Sequence, residues 1–219
     1  VVIDVGLRMV HGLDWLGRRV EPGSVLYLPG EGHAGLAGRL RAWRTAHPCV
    51  DESDACGRYF YIANGIPSLT KANRKILPTL IDRVVKEEGH APSLVIVDTL
   101  SQSLDDADEN DGAAVGEVLR TLSNVRKQFG CSILVIHHLN EPQKGAPDKW
   151  GINLIRGSGK LKGDPDACLG LFLDPLNGSR RLDVWKLKDL EKGAPLCLQL
   201  LPVETGRRRK NGNLERACI

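Results

Sequence analysis

Leu94-Val95-Ile96-Val97-Asp98-Thr99 is an unbroken apolar run that ends in a carboxylate and a hydroxyl, and a second run, Ile133-Leu134-Val135-Ile136, ends in His137-His138. A strand that is apolar on both faces belongs to a parallel sheet covered by helices on each side. In such sheets ligands collect outside the carboxyl ends of the strands, which is where Asp98, Thr99, His137 and His138 fall. A carboxylate in that place suits a nucleotide-hydrolysing core, where it helps to hold the magnesium ion that neutralises the phosphates. No stretch of the 219 residues matches G-x-x-x-x-G-K-[ST], the loop whose backbone amides and lysine would cradle those phosphates.

Strand and helix patterns alternate on both sides of these runs. Ser24 to Leu28 predicts a short buried strand after the turn Glu21-Pro22-Gly23, and the loop Pro29-Gly30-Glu31-Gly32 follows it. Leu36, Leu40 and Trp43 then recur at helical spacing, with Arg39, Arg41 and Arg44 between them. Arg58 to Ile62 predicts another strand. Ile76, Leu77, Leu80, Ile81, Val84 and Val85 mark one face of a helix that Gly89 ends, and Pro78 is acceptable only in its first turn or as a kink. The acidic stretch Asp105 to Asp111 leads into a helix striped by Val115, Val118, Leu119, Leu122 and Val125 that closes near Gly130, and its carboxylates suit a helix amino end. Val1, Val2, Val5, Met9 and Val10 fit a helical stripe stopped at His11-Gly12.

This repetition implies an α/β fold with a mostly parallel sheet between helices. Asn140 to Asn153, rich in Pro, Gly and Lys and without periodicity, reads as a functional or mobile loop. Ala167 to Leu173, Arg181 to Lys186 and Leu196 to Val203 predict three further strands joined by tight turns such as Asn177-Gly178, a hairpin-like extension of the sheet. Residues 1–205 thus form the expected core. Residues 206–219, which open on the basic cluster Arg207-Arg208-Arg209-Lys210, read as a basic polar tail.

Composition sets wide bounds. At 42% hydrophobic and 26% charged residues the chain has ordinary globular proportions, and a formal charge of +3 is too small to demand a polyanionic partner. The six cysteines show no C-x-x-C spacing, which fits a reducing compartment and no structural zinc. No apolar stretch approaches the roughly 20 residues that span a bilayer, and the chain opens without a signal peptide's basic start. A cytoplasmic protein with no membrane partner is expected.

Several motifs in register carry a resemblance. They are Val25 to Gly32 with Leu36 and Arg39 to Trp43 behind it, Leu94 to Thr99, Asp108-Glu109-Asn110, Ile136-His137-His138, Arg156-Gly157-Ser158 with Leu161-Lys162 and Asp166, and Lys186-Leu187-Lys188-Asp189. Together, over about residues 1 to 203, they resemble the RecA-like ATPase domains of plasmid and phage replicative helicases, in particular the RepA-like hexameric helicases and related AAA-type proteins of prophages. The resemblance implies a RecA-like P-loop NTPase core, with C-terminal antiparallel strands, that uses ATP and magnesium. It further implies a homo-oligomeric ring, a hexamer, that moves along single-stranded DNA. That family places its Walker A loop just before a helix like Val1 to Val10, so the chain reads as the domain cut after that loop and inactive in this form. A degenerate, non-hydrolysing ring subunit and a RecA-like regulatory or recombination ATPase are the alternatives.

The resemblance assigns roles residue by residue. It makes Asp98 the Walker B carboxylate, reaching magnesium through water, with Thr99 beside it at the nucleotide; the alternative is a polar residue where a strand meets a loop, common in any α/β protein. Glu31 stands where RecA-like ATPases carry the carboxylate that orients the attacking water; a strand terminus can fix such a base in line with the γ-phosphate, and the alternative is a solvated Glu in a glycine turn. His137 and His138 are poorly placed to share a metal, since adjacent strand residues point to opposite faces. One of them is implied to sense the γ-phosphate, and which one stays open; the alternative is one satisfied core histidine and one exposed.

Gly157-Ser158-Gly159-Lys160 ends like a phosphate loop, yet Leu154 stands where its first glycine belongs and Leu161 follows the lysine. Arg156, Lys160 and Lys162 read as DNA-backbone contacts near a central channel, or else as a solvated basic turn. Lys186 and Lys188 share a face of one strand. The resemblance implies that such cations reach across a subunit boundary to the neighbour's γ-phosphate, an exposed strand being the alternative.

Overall fold

The computed structural model describes residues 1–50, 58–142, 150–173, 178–208 and 213–219. Its central sheet holds four parallel strands, β1 (Val25–Pro29), β2 (Phe60–Ile62), β3 (Leu94–Asp98) and β4 (Ser132–Ile136), in the order β2-β1-β3-β4. All of β1 and all of β3 except Asp98 are buried. Their side chains alternate between two cores, as the period of a strand requires. Leu26, Leu28, Val95 and Val97 pack against α3 (Ile76–Glu88) and α4 (Gly112–Phe129), whereas Val25, Tyr27, Leu94 and Ile96 pack against α1 (Val2–His11) and α2 (His33–Ala46).

The helices follow their sequence signals. Asp111 caps α4 by accepting a hydrogen bond from the Ala113 amide at 2.7 Å. Pro78 is the third residue of α3, inside the first turn, where its missing N–H costs nothing. Gly12, Gly89 and Gly130 end α1, α3 and α4 in the left-handed conformation that glycine adopts without steric cost.

Beyond β4 the chain departs from the sequence expectation in three ways: the antiparallel strands form a sheet of their own instead of extending the first, the third of them is cut short, and the tail is a hairpin. A short α5 (Lys160–Gly163) precedes a separate antiparallel sheet of β5 (Ala167–Leu173), β6 (Arg180–Leu187) and β7 (Leu196–Leu198). The third expected strand breaks after Leu198, and β8 (Pro202–Arg208) begins a new hairpin with β9 (Leu214–Cys218). Where a polar tail was expected, this hairpin lies on α2. The Arg41 guanidinium grips Glu215 at 2.8–3.0 Å, and Thr205 donates to Glu215 at 2.7 Å. Gly38 leaves room for Glu215 and Ala217 against the helix. The inward face of the hairpin is largely polar and its partner is a helix far away in sequence, so no apolar alternation announced it.

The ends of the expected loop are drawn together. Leu139 bridges Ile155, and the Asn140 amide bonds to the Leu154 carbonyl at 2.7 Å. Its middle, residues 143–149, lies outside the described residues, as do 51–57 with Cys56, Asn177 of the expected turn, and Arg209 and Lys210 of the basic cluster. Among the described residues no helix is long and apolar enough to cross a membrane.

Candidate functional site

Parallel pairing of β1 with β3 and of β3 with β4 sets three strand ends side by side. The side chains beyond those ends converge. Thr99, almost fully buried just past β3, donates from Oγ1 to Glu31 Oε1 at 3.2 Å, and His138 Nε2 stands 3.7 Å from the same oxygen. Glu31 and His138 are both about half exposed, so the pair opens to solvent while Thr99 fixes it from below. The Gly30 amide bonds to the Asp98 carbonyl, which ties the Glu31 loop to the end of β3.

Asp98 belongs to the same end of the sheet but turns toward the α1–α2 side. Its Oδ2 accepts a hydrogen bond of 2.7 Å from the Tyr27 hydroxyl. Burial, first, and then that hydrogen bond push the Tyr27 phenol well above its ordinary range, so it stays a donor. Asp98 also lies within electrostatic reach of the amino end of α1, the positive pole of that helix. Asp98 Oδ1 has no hydrogen-bond partner among the described residues. Carboxylate and hydroxyl oxygens, with no thiol and no cluster of three metal-ligating side chains among the described residues, fit a hard cation held mainly through water. A magnesium ion would suit such a set, and Asp98 is the carboxylate that could hold it.

The two histidines differ sharply. His137 Nε2 donates to the Arg156 carbonyl at 2.8 Å, while its Nδ1 is buried without a hydrogen-bond partner. Burial is the main cause that lowers its pKa, so the ring stays neutral. The ring centres are 6.4 Å apart, and it is His138 that meets Glu31.

The basic residues are held within the chain. Arg156 pairs with Glu109, whose side chain is only 10% exposed and also accepts from Ser101 Oγ at 3.1 Å. The Glu109 carbonyl accepts from the Ser158 amide at 3.0 Å, so this residue clamps the segment after β3 to the one before α5. The Lys160 stem lies over Gly116 of α4, and Lys162 Nζ donates to the Asn153 carbonyl at 3.3 Å. Lys186 Nζ donates to the Lys162 and Gly163 carbonyls at 2.9 and 2.6 Å, and Lys188 Nζ to Asp166 Oδ1 at 3.0 Å. Both lysines therefore reach toward the end of α5. Asp166 is held below the usual carboxylate range chiefly by its hydrogen bond with Lys188.

The structure thus brings Glu31, Asp98, Thr99 and His138 to one end of the sheet and keeps Arg156, Lys160, Lys162, Lys186 and Lys188 around α5. Two residues escaped the sequence reading. Tyr27 appeared only as a strand residue, although a phenol in a fully apolar strand must find a partner for its hydroxyl. Glu109 appeared only within Asp108-Glu109-Asn110.

Comparison with known proteins bears on the same region. The sequence pattern of a family described as the AAA domain matches residues 1–144. Among solved structures, the ATPase domain of a helicase superposes with a TM-score of 0.57 at 13% identity, over 87% of this chain and 74% of that one. The RadB recombinase superposes with a TM-score of 0.53 at 16% identity, over 82% and 76%. At such identities the likeness is one of fold, that of RecA-like ATPases. No curated protein sequence matches the chain.

Proposed function

Because the chain belongs to the AAA domain family, whose pattern spans residues 1–144, we propose that it is the motor core of an ATP-driven, single-stranded-DNA translocase of the replicative helicase type, acting as a homo-oligomeric ring, a hexamer. One observation carries the proposal: Glu31, Thr99 and His138 meet beside Asp98 at the ends of three adjacent parallel strands. In this reading Asp98 holds magnesium through water, and the metal, when bound, offsets charge on the phosphates of ATP. Glu31 orients a water molecule and takes its proton at the carboxylate, Thr99 fixes the Glu31 rotamer, and His138 follows nucleotide state through Glu31. Lys186 and Lys188 serve the neighbouring subunit's site, and Arg156, Lys160 and Lys162 belong to the DNA-facing side.

The 219 residues contain no phosphate-cradling loop, so the test uses the complete reading frame. Asp98→Ala should abolish magnesium-dependent ATP turnover. Glu31→Gln should keep nucleotide binding and lose turnover by about a hundredfold, the usual scale for a general base. Near-normal turnover in both variants would refute the assignment. Mixing Glu31→Gln with Lys188→Ala subunits should restore activity at interfaces that join one intact base to one intact lysine. The likeness to a recombinase supports a second reading, ATP-dependent DNA binding without unwinding. A strand-displacement assay separates the two.

A further inference from the structure

Tyr27 sits in the middle of β1, one strand away from Asp98 and two residues short of its level. The parallel register pairs Tyr27 with Ile96 and Pro29 with Asp98. Side chains two apart on a strand share a face, so Ile96 and Asp98 point to the side that Tyr27 occupies. A tyrosine is long enough to run along that face and present its hydroxyl at the carboxyl end of the neighbouring strand. Here it does so from a ring that is 1% exposed, packed among Val25, Leu36 and Ile96 and tilted against Phe60 with ring centres 5.9 Å apart. The hydroxyl donates to Asp98 Oδ2 at 2.7 Å.

That bond does two things to the carboxylate. It occupies one oxygen with a donor whose position is set by a rigid core, and it leaves Oδ1 as the oxygen without a hydrogen bond among the described residues. A carboxylate that anchors a cation through water is sensitive to such support, because the water geometry depends on which oxygen points outward and how firmly it is held. No other hydrogen bond to the Asp98 side chain is made by the described residues, so its orientation depends on Tyr27.

We infer that Tyr27 is a positioning residue for the cation site: its buried hydroxyl locks the Asp98 carboxylate in the orientation that holds a divalent metal ion with the bound nucleotide. Tyr27 itself touches neither nucleotide nor metal. The inference rests on the proposed role of Asp98 and adds the residue that makes that role geometrically defined.

The experiment uses the complete protein with Tyr27→Phe, Asp98→Ala and Asp98→Asn variants. Manganese, as a spectroscopic substitute for magnesium, is titrated in the presence of a non-hydrolysable ATP analogue and counted by electron paramagnetic resonance, and ATP turnover is measured against magnesium concentration. Tyr27→Phe removes one oxygen and keeps the ring. It should raise the half-saturating metal concentration about tenfold, in the range found for residues that support a metal ligand, with turnover at saturating metal much less affected.

An unchanged metal midpoint in a folded Tyr27→Phe protein, with only a lower melting temperature, would overturn the inference and leave Tyr27 as a core donor. If Asp98→Ala also leaves metal binding intact, the reading of Asp98 falls with it; if Asp98→Ala abolishes binding while Tyr27→Phe does not shift it, only the inference falls. A second measurement covers a variant that folds poorly. With 3-fluorotyrosine placed at position 27, the fluorine resonance should move when metal and nucleotide are added, and Asp98→Asn should suppress that movement. A resonance indifferent to metal refutes the coupling.

Discussion

His137 and His138 leave the same strand end toward different environments, and that difference is measurable. The half-buried, neutral His137 has a pKa below that of the unfolded chain, so the unfolded state binds more protons as pH falls through about 6.5, and stability must fall with it. Thermal melts from about pH 8 down to about pH 5 should show a steeper loss for the natural protein than for His137→Gln, whose amide can still donate to the Arg156 carbonyl. Equal slopes would remove His137 as the cause. Strand alternation said that the two rings point apart, but not which one meets the core; that depends on Arg156, a residue the strand pattern does not contain. Arg156 itself carries a related expectation. Because Glu109 is mostly buried and shared with Ser101, Arg156→Ala should destabilise the fold by about 1–2 kcal/mol. Its effect should largely vanish in a Glu109→Ala background, which a double-mutant cycle of urea melts can read. Full additivity would mean that the pair is not coupled.

At the scale of elements, the central strands and the helices were legible because their signals are local. Continuous apolar runs gave β1 and β3, the stripe Val115, Val118, Leu122 and Val125 gave α4, and Gly89 and Gly130 gave helix ends. The β8–β9 hairpin was not legible, since Val203, Thr205, Glu215 and Ala217 make too polar a face to stand out and its anchor, Arg41, lies on α2. That anchor is testable. Glu215 is held below the usual carboxylate range first by Thr205 and then by Arg41, so its contribution is present at neutral pH and is lost as pH falls below the ordinary carboxylate range, through its own lowered pKa. Hydrogen exchange should show the β9 amides losing protection in Arg41→Ala, and losing it in the natural protein on acidification, while β1 and β3 amides stay protected. Protection of β9 that survives both changes would mean that apolar contacts hold the hairpin.

For the whole molecule, the β2-β1-β3-β4 order explains why a site forms at one end of the sheet: it sets the Glu31, Asp98 and His138 positions on neighbouring strands, although they are far apart in sequence. The sequence named these residues through a family resemblance and through their places at strand ends. It could not show that Thr99 and His138 both meet Glu31, because side-chain convergence is a product of register. The same order leaves β4 last in its sheet, with Ile133, Leu134, Val135 and Ile136 only partly covered and, among the described residues, one row of its backbone groups without a strand partner. The β4 amides that face this margin should exchange faster than those of β1 and β3, which have strand partners on both sides. Protection of β4 equal to that of β3 would show that this margin is covered.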